Sequence, residues 1–221
     1  MSLTVLITGA SRGIGLEMTR LLLARGDHVI AACRTPSREL TASGATVEAN
    51  VDVGDAASVE ALGRRLADRS LDWLINNAGQ LSVDSLDQLD EDAIRRQFEV
   101  NALGPLRVTA ALAPRIGDGG KVALVTSRMG SMGDNTSGRM YGYRMSKAAL
   151  NAAGVSLAHD LAPRGIAVAI LHPGYVRTEM TGGNGDLEPA DAARNLIARI
   201  DELTPATSGR FLHSNGTALP W

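Results

Sequence analysis

Leu3-Thr4-Val5-Leu6-Ile7-Thr8-Gly9-Ala10-Ser11-Arg12-Gly13-Ile14-Gly15 is the stretch that decides the fold. Residues 3–8 are an apolar, β-branched run, which suits a short strand buried on both faces. Glycines follow at 9, 13 and 15, then an amphipathic pattern to about Arg25 and a stop at Gly26. A strand, a glycine turn and a helix in that order build a phosphate site. The glycines admit a ligand to the backbone, and the helix start offers unpaired N–H groups and a positive dipole end. The spacing is G-x-x-x-G-x-G, not the G-x-G-x-x-G of the general dinucleotide fingerprint. A glycine-rich turn without a ligand is the competing reading of this segment.

The same alternation continues along the chain. Apolar runs recur at 28–33, 45–51, 71–75, 121–126, 166–171 and, after Gly209, at 210–213. Helical patterns lie between them. One is capped by Asp55 and runs to about Arg69; one spans 91–112. A long one opens at Tyr143 and runs to about Leu161, before Pro163 and Gly165; a short one covers 189–200. Regular alternation of about seven strands with helices predicts one α/β domain over residues 1–221. Its form is a doubly wound parallel sheet, a Rossmann fold, with helices on both faces and right-handed crossovers. Residues 128–140, rich in Gly and Met, read as a loop, and 175–188, rich in Gly and Thr, as a mobile lid over the strand ends.

In such a sheet, ligands bind beyond the carboxyl ends of the strands. The second strand ends in Cys33-Arg34, where many dinucleotide sites carry an acidic residue for the ribose 2′-OH. Arg34, with Arg12 from the glycine turn, suits a 2′-phosphate instead, because two guanidiniums grip it and a carboxylate would repel it. That favours NADP over NAD; a merely solvated Arg34 is the other reading. Asp52 either accepts from an adenine amino group or shapes a turn. Asn76-Asn77-Ala78-Gly79 follows the fourth strand directly, as an ordinary turn or as part of a ligand site. Asn101, a poor helix former in an apolar setting, is a satisfied core residue or a functional one.

Tyr143 and Lys147 are four residues apart, so both side chains leave one helical face. A neighbouring cation favours the phenolate and is expected to lower the Tyr143 pKa, making a tuned acid/base. The chain has two lysines, Lys121 and Lys147, against twenty arginines. A lysine kept at 147 hints at a need for a compact ammonium.

Bulk properties exclude several classes. A net charge of −2, with basic residues spread out, offers no case for nucleic acid or a membrane surface. A single cysteine, Cys33, leaves no disulfide framework and no Cys-rich metal site. The N-terminal residues lack the pattern of a signal peptide, and no apolar run approaches the roughly 20 residues of a membrane span. A cytoplasmic protein is expected.

Taken together and in order, Thr8-Gly9-x-x-x-Gly13-Ile14-Gly15, Asn76-Asn77-Ala78-Gly79, Asn101, Ser127, Tyr143-x-x-x-Lys147 and Pro173-Gly174 resemble the short-chain dehydrogenases/reductases. Ser127-Arg128-Met129-Gly130-Ser131, Tyr141-Gly142-Tyr143-Arg144 and the tail from Arg210 to Trp221 look like the C-factor-like, or sniffer-like, carbonyl reductase branch. The resemblance implies reduction of an aldehyde or ketone, reversibly an alcohol, with NADP(H) preferred over NAD(H). Tyr143 would be the proton donor, and Lys147 would tune it and hold the ribose. Ser127 would polarise the carbonyl, with Thr126 or Ser131 as substitutes because the gap to Tyr143 is long. Asn101 would position a water in a proton relay. The cofactor would lie on Gly9, Ser11, Arg12, Gly13, Ile14 and Gly15, then on Arg34, Asp52 and Val53. Asn77, Ala78 and Gly79, Tyr143 and Lys147, and Pro173, Gly174, Val176 and Thr178 would complete its site. A homodimer or homotetramer is implied as well. A nucleotide-binding signalling protein of C-factor type is the alternative; a sugar-nucleotide epimerase lacks enough chain after Pro173-Gly174.

Overall fold

A computed structural model describes residues 2–221. Seven parallel strands form one sheet: β1 (Thr4–Thr8), β2 (His28–Ala32), β3 (Thr46–Glu48), β4 (Leu71–Asn76), β5 (Ile116–Val125), β6 (Ala167–His172) and β7 (Phe211–His213). Their order is β3-β2-β1-β4-β5-β6-β7, so the winding reverses between β1 and β4. Side chains alternate across β1: Leu6 joins one core, Val5 and Ile7 the other. The expected doubly wound sheet is present.

Helices cover both faces. On one lie α1 (Gly13–Arg25), the short α2 (Arg38–Thr41) and α7 (Pro189–Asp201), burying Met18, Leu22, Leu40, Leu196 and Ile200. On the other lie α3 (Ala56–Arg65), α4 (Glu91–Phe98), α5 (Gly104–Leu112) and α6 (Tyr141–Leu161). Among these, Leu62, Val108, Leu112 and Leu150 are fully buried or nearly so. Helix α6 lies close on the sheet at Gly154, where a Cβ would come within 2.7 Å of Ile170 Cδ1 and 2.9 Å of Leu124 Cδ1. No helix among the described residues is long and apolar enough to cross a membrane.

Several boundaries depart from the sequence reading. Strand β3 is only three residues long, and the chain turns at Asn50, whose φ is +58°. Helix α2, capped by the Ser37 side chain on Leu40 N, was not expected. Asp55 caps α3 as expected, its carboxylate accepting from Ala57 N, but the helix ends at Arg65. Strand β5 begins at Ile116, ahead of the apolar run, because 116 pairs with Leu71 before a shift of register. The single helix expected over 91–112 is interrupted by a π-helical segment, Glu99–Leu103, in which Gly104 N–H bonds back to Glu99 O. Such an extra residue in a helix is frequent at functional sites, and Asn101 lies inside it. Helix α6 starts at Tyr141, so Tyr143 is its third residue, not its first.

Candidate active site

A cleft of about 780 Å³ opens above the strand ends at the point where the sheet order reverses. Its floor is the glycine turn. Gly9 has φ +68°, and a Cβ there would lie 2.8 Å from Ala78 Cα. Helix α1 starts at this floor, and its N-cap residue, Arg12, supplies no side-chain cap. An uncapped helix start facing a cleft of this size fits the phosphates of a dinucleotide. Gly9, Ser11, Arg12, Gly13 and Ile14 all line it. Gly15 does not; it sits beneath the turn, where a Cβ would meet Gly9 O at 2.4 Å and Asn77 Nδ2 at 2.6 Å. Gly15→Ala is therefore expected to cost at least about 1–3 kcal/mol of overpacking and to weaken nucleotide binding. An unchanged urea midpoint would refute this.

Where the sequence reading places the nucleoside, Arg34, Asp52 and Val53 line the cleft. The two guanidiniums do not stand as a free pair. Arg12 Nη1 is 2.6 Å from Glu179 Oε2, both groups largely exposed, whereas Arg34 has no ion-pair partner among the described residues. An exposed pair of this kind is worth about 0–1 kcal/mol, so Arg12 can exchange Glu179 for a better anion. Asp52 makes a turn, its Oδ1 accepting from Gly54 N at 2.9 Å.

Asn77, Ala78 and Gly79 also line the cleft. The Asn77 side chain is committed to the protein, donating to Thr8 O and Gly9 O at 3.1 and 3.2 Å. Thr8 Oγ1 in turn accepts from the backbone N–H groups of Asn77 and Ala78. This bracing of the glycine turn by Thr8 is a role that the sequence reading missed.

Pro173 and Thr178 face the cleft, but Gly174 and Val176 do not line it. Val176 is buried and bridges to Leu187. Gly174 has φ +98°, and a Cβ would lie 2.7 Å from Leu187 Cδ1. Both fix the base of segment 175–188. That segment is also held by Thr181 Oγ1 donating to Val176 O at 2.8 Å and by the Arg177–Glu188 ion pair at 2.6 Å.

The Tyr143–Lys147 pair lies on α6. Tyr143 and Lys147 line the cleft and are 8% and 4% exposed. Lys147 Nζ donates to Val125 O at 2.9 Å and lies 5.9 Å from the Tyr143 ring centroid. Burial lowers its pKa from 10.5 to about 8. The expected depression of the Tyr143 pKa by the lysine is corrected here. Burial, the dominant influence, pushes the phenol up, and the Ser127 hydroxyl opposes that rise. Lys147 is not among the influences on the phenol: its Nζ is spent on Val125 O and stands off the ring, so loss of hydration decides the sign.

Three hydroxyls competed for the role beside Tyr143. Thr126 Oγ1 donates to Asn151 Oδ1 at 2.7 Å within the core. Ser131 Oγ donates to Trp221 O and accepts from Asp134 N. Ser127 does not line the cleft, as Thr126 does, but it is the one beside the phenol; its Oγ accepts from Met129 N, which leaves its proton to donate.

Asn101 is fully buried but lines no part of the cleft. Its amide accepts from Gln80 N at 2.7 Å and donates to Gln80 O at 2.8 Å and Ser146 Oγ at 3.0 Å. Ser146 Oγ donates to Tyr143 O at 2.8 Å. The side chain therefore stitches the loop after β4 to α6. His172, at the end of β6, is kept neutral: burial, then His213 and Arg128, lower its pKa to about 3.

A family model described as short chain dehydrogenase matches residues 3–188. The chain is 50% identical over 224 residues, 99% of each chain, to 1-hydroxy-2-glutathionyl-2-methyl-3-butene dehydrogenase of Rhodococcus sp. (strain AD45). It is 48% identical over 154 residues to C-signal of Myxococcus xanthus, covering 68% of this chain and 93% of that one. Among solved structures, NADPH-bound carbonyl reductase from chicken fatty liver superposes with a TM-score of 0.89 at 28% identity, covering 100% of this chain and 99% of the other.

Proposed function

This chain belongs to the short-chain dehydrogenase family, and from that premise we propose that it is an NADPH-dependent reductase of aldehydes or ketones. The observation that carries the proposal is the pairing of Tyr143 and Lys147 in the cleft, with the Ser127 hydroxyl beside the phenol. A cofactor held on the glycine turn, Arg34 and Thr178 would supply hydride to the carbonyl carbon. The protein's part is to hold the carbonyl oxygen and give it a proton. Ser127 donates a hydrogen bond to that oxygen, and Tyr143 transfers its proton as negative charge grows there. Donors aimed at the developing charge stabilise the transition state more than the ground state. The raised phenol pKa suits this direction, since Tyr143 stays protonated and ready to donate. Lys147, cationic below about pH 8, stabilises the phenolate left behind.

The preference for NADPH rests on Arg34 and Arg12 at the nucleoside end, with no carboxylate at the end of β2. The likeness to an NADPH-bound carbonyl reductase supports it. The test is NADPH consumption with a panel of carbonyl compounds, together with thermal stabilisation by the two nucleotides. A larger upward shift from NADPH than from NADH at equal concentration is expected. A larger shift from NADH would overturn the 2′-phosphate reading.

A second reading is favoured by the 50%-identical relative, whose name describes dehydrogenation of a hydroxylated glutathionyl compound. The same residues then run in reverse, with Tyr143 as base toward an alcohol. Oxidation of such an alcohol that outpaces every carbonyl reduction would favour it. The likeness to C-signal keeps a signalling role as the remaining alternative, which tight NADPH binding without any turnover would support.

A further inference from the structure

We propose that Asp84 is a positioning residue for Tyr143, acting as the N-terminal cap of α6 from a different part of the chain. The proposal rests on the reading of Tyr143 as proton donor. Helix α6 opens without a cap of its own: Met140 precedes it, with no side-chain hydrogen bond to the first turn. The chain reaches that point through three successive residues in left-handed backbone, Gly138, Arg139 and Met140, with φ of +64°, +58° and +53°. Neither Arg nor Met favours that region, so the conformation persists only where the surroundings impose it.

Asp84 imposes it. Its carboxylate is buried, with Oδ1 accepting from Tyr141 N at 2.5 Å and Oδ2 from Gly142 N at 3.0 Å. Its backbone oxygen accepts from Met140 N at 2.9 Å. One residue thus takes three consecutive N–H groups directly ahead of Tyr143. No cation pairs with this carboxylate among the described residues; the positive end of α6 compensates its charge. The same loop is fastened twice more. Ser82 N donates to Gln97 Oε1 at 3.0 Å, and Asn101 grips both backbone groups of Gln80. Gly142 leaves the first turn no slack against α4, since a Cβ there would lie 3.1 Å from Ile94 Cα. The loop after β4 therefore holds the turn that carries Tyr143, much as β5 holds Lys147 through Val125 O.

Two variants test this by backbone amide exchange and steady-state kinetics. Asp84→Ala removes both side-chain acceptors; Asp84→Asn keeps one oxygen and the shape. In Asp84→Ala, amides of residues 139–146 should exchange faster while those of 150–161 stay as in the parent. The kcat should fall about 10–100-fold, the scale of a small misplacement of a reacting group, with the NADPH Kd unchanged within about twofold. Asp84→Asn should lie between that variant and the parent. Unchanged exchange in 139–146, faster exchange spread along all of α6, an unchanged kcat in a frayed variant, a parallel loss of cofactor binding, or no rescue by Asn would each overturn the proposal. If Asp84→Ala does not fold, Asp84→Asn decides alone: local fraying with a smaller loss of kcat supports the role, and the absence of either refutes it. A parent enzyme that turns over no carbonyl or alcohol defeats the assigned reaction and, with it, Tyr143 as proton donor. The exchange data would then still report whether Asp84 holds the first turn of α6.

Discussion

Tyr143→Phe is expected to lower kcat/KM for carbonyl reduction by about 10²–10⁴-fold, the contribution typical of a positioned general acid. The substitution keeps the ring, which is 8% exposed and packed at the start of α6. It removes only the oxygen that faces Ser127. Stability should therefore change by no more than about 1 kcal/mol, the net worth of one buried hydrogen bond. Binding of NADPH should survive, because the glycine turn and Arg34 are untouched. The loss should fall on kcat more than on KM, since the proton is needed at the transition state and not for encounter. Equal turnover by the variant, measured as NADPH consumption with the best carbonyl substrate, would remove Tyr143 from the mechanism. The neighbouring Tyr141 is the control. It is partly exposed, meets Met145 four residues on and has no ammonium beside it, so Tyr141→Phe should leave kcat close to that of the parent.

Lys147→Met should separate activity from stability. Loss of the ammonium is expected to cost about 10²–10³ in kcat, as for removal of one preorganised donor. Stability should move the other way. Lys147 is buried, and its pKa is lowered from 10.5 to about 8 by loss of hydration. The unfolded chain holds its proton up to about 10.5, the folded chain only to about 8. Below pH 8 both states are protonated and the whole cost of burying the charge is present, on the order of 3 kcal/mol. Between pH 8 and 10.5 the unfolded state binds more protons, so the parent gains stability with rising pH; above 10.5 the cost is gone. The methionine variant carries no such cost. It should be more stable than the parent at pH 7, by less than that full amount because Val125 O loses its partner. The advantage should shrink as pH rises toward 10. Urea midpoints of both proteins at pH 7 and pH 10 measure this, and a difference that does not move with pH would contradict the buried-ammonium account. The parent's reductase activity should likewise decline above pH 8 as Lys147 loses its proton.

Features that a short stretch of chain can specify were legible in advance. The glycine turn, the stop at Gly26 and the Asp55 cap depend on neighbours a few residues away, and each stands where the residues place it. The strand–helix alternation survived as well, because strands buried on both faces declare themselves as apolar runs. Boundaries failed where a distant partner set them. Ile116 extends β5 because Leu71 pairs with it, and α6 gains two residues because Asp84 caps it. The π-helical segment at Asn101 left no periodic trace, since one extra residue barely disturbs a helical pattern.

By itself, then, the sequence determined the architecture, the family's motifs in order and the residue types gathered at the strand ends. The tertiary structure alone decided which hydroxyl stands beside Tyr143, which carboxylate engages Arg12, and the sign of the shift on the phenol. Composition and spacing carry the first set because backbone geometry and hydrophobic periodicity are local. Burial and hydrogen-bond commitment depend on groups brought together from far along the chain, and no local pattern records how much water a side chain has lost.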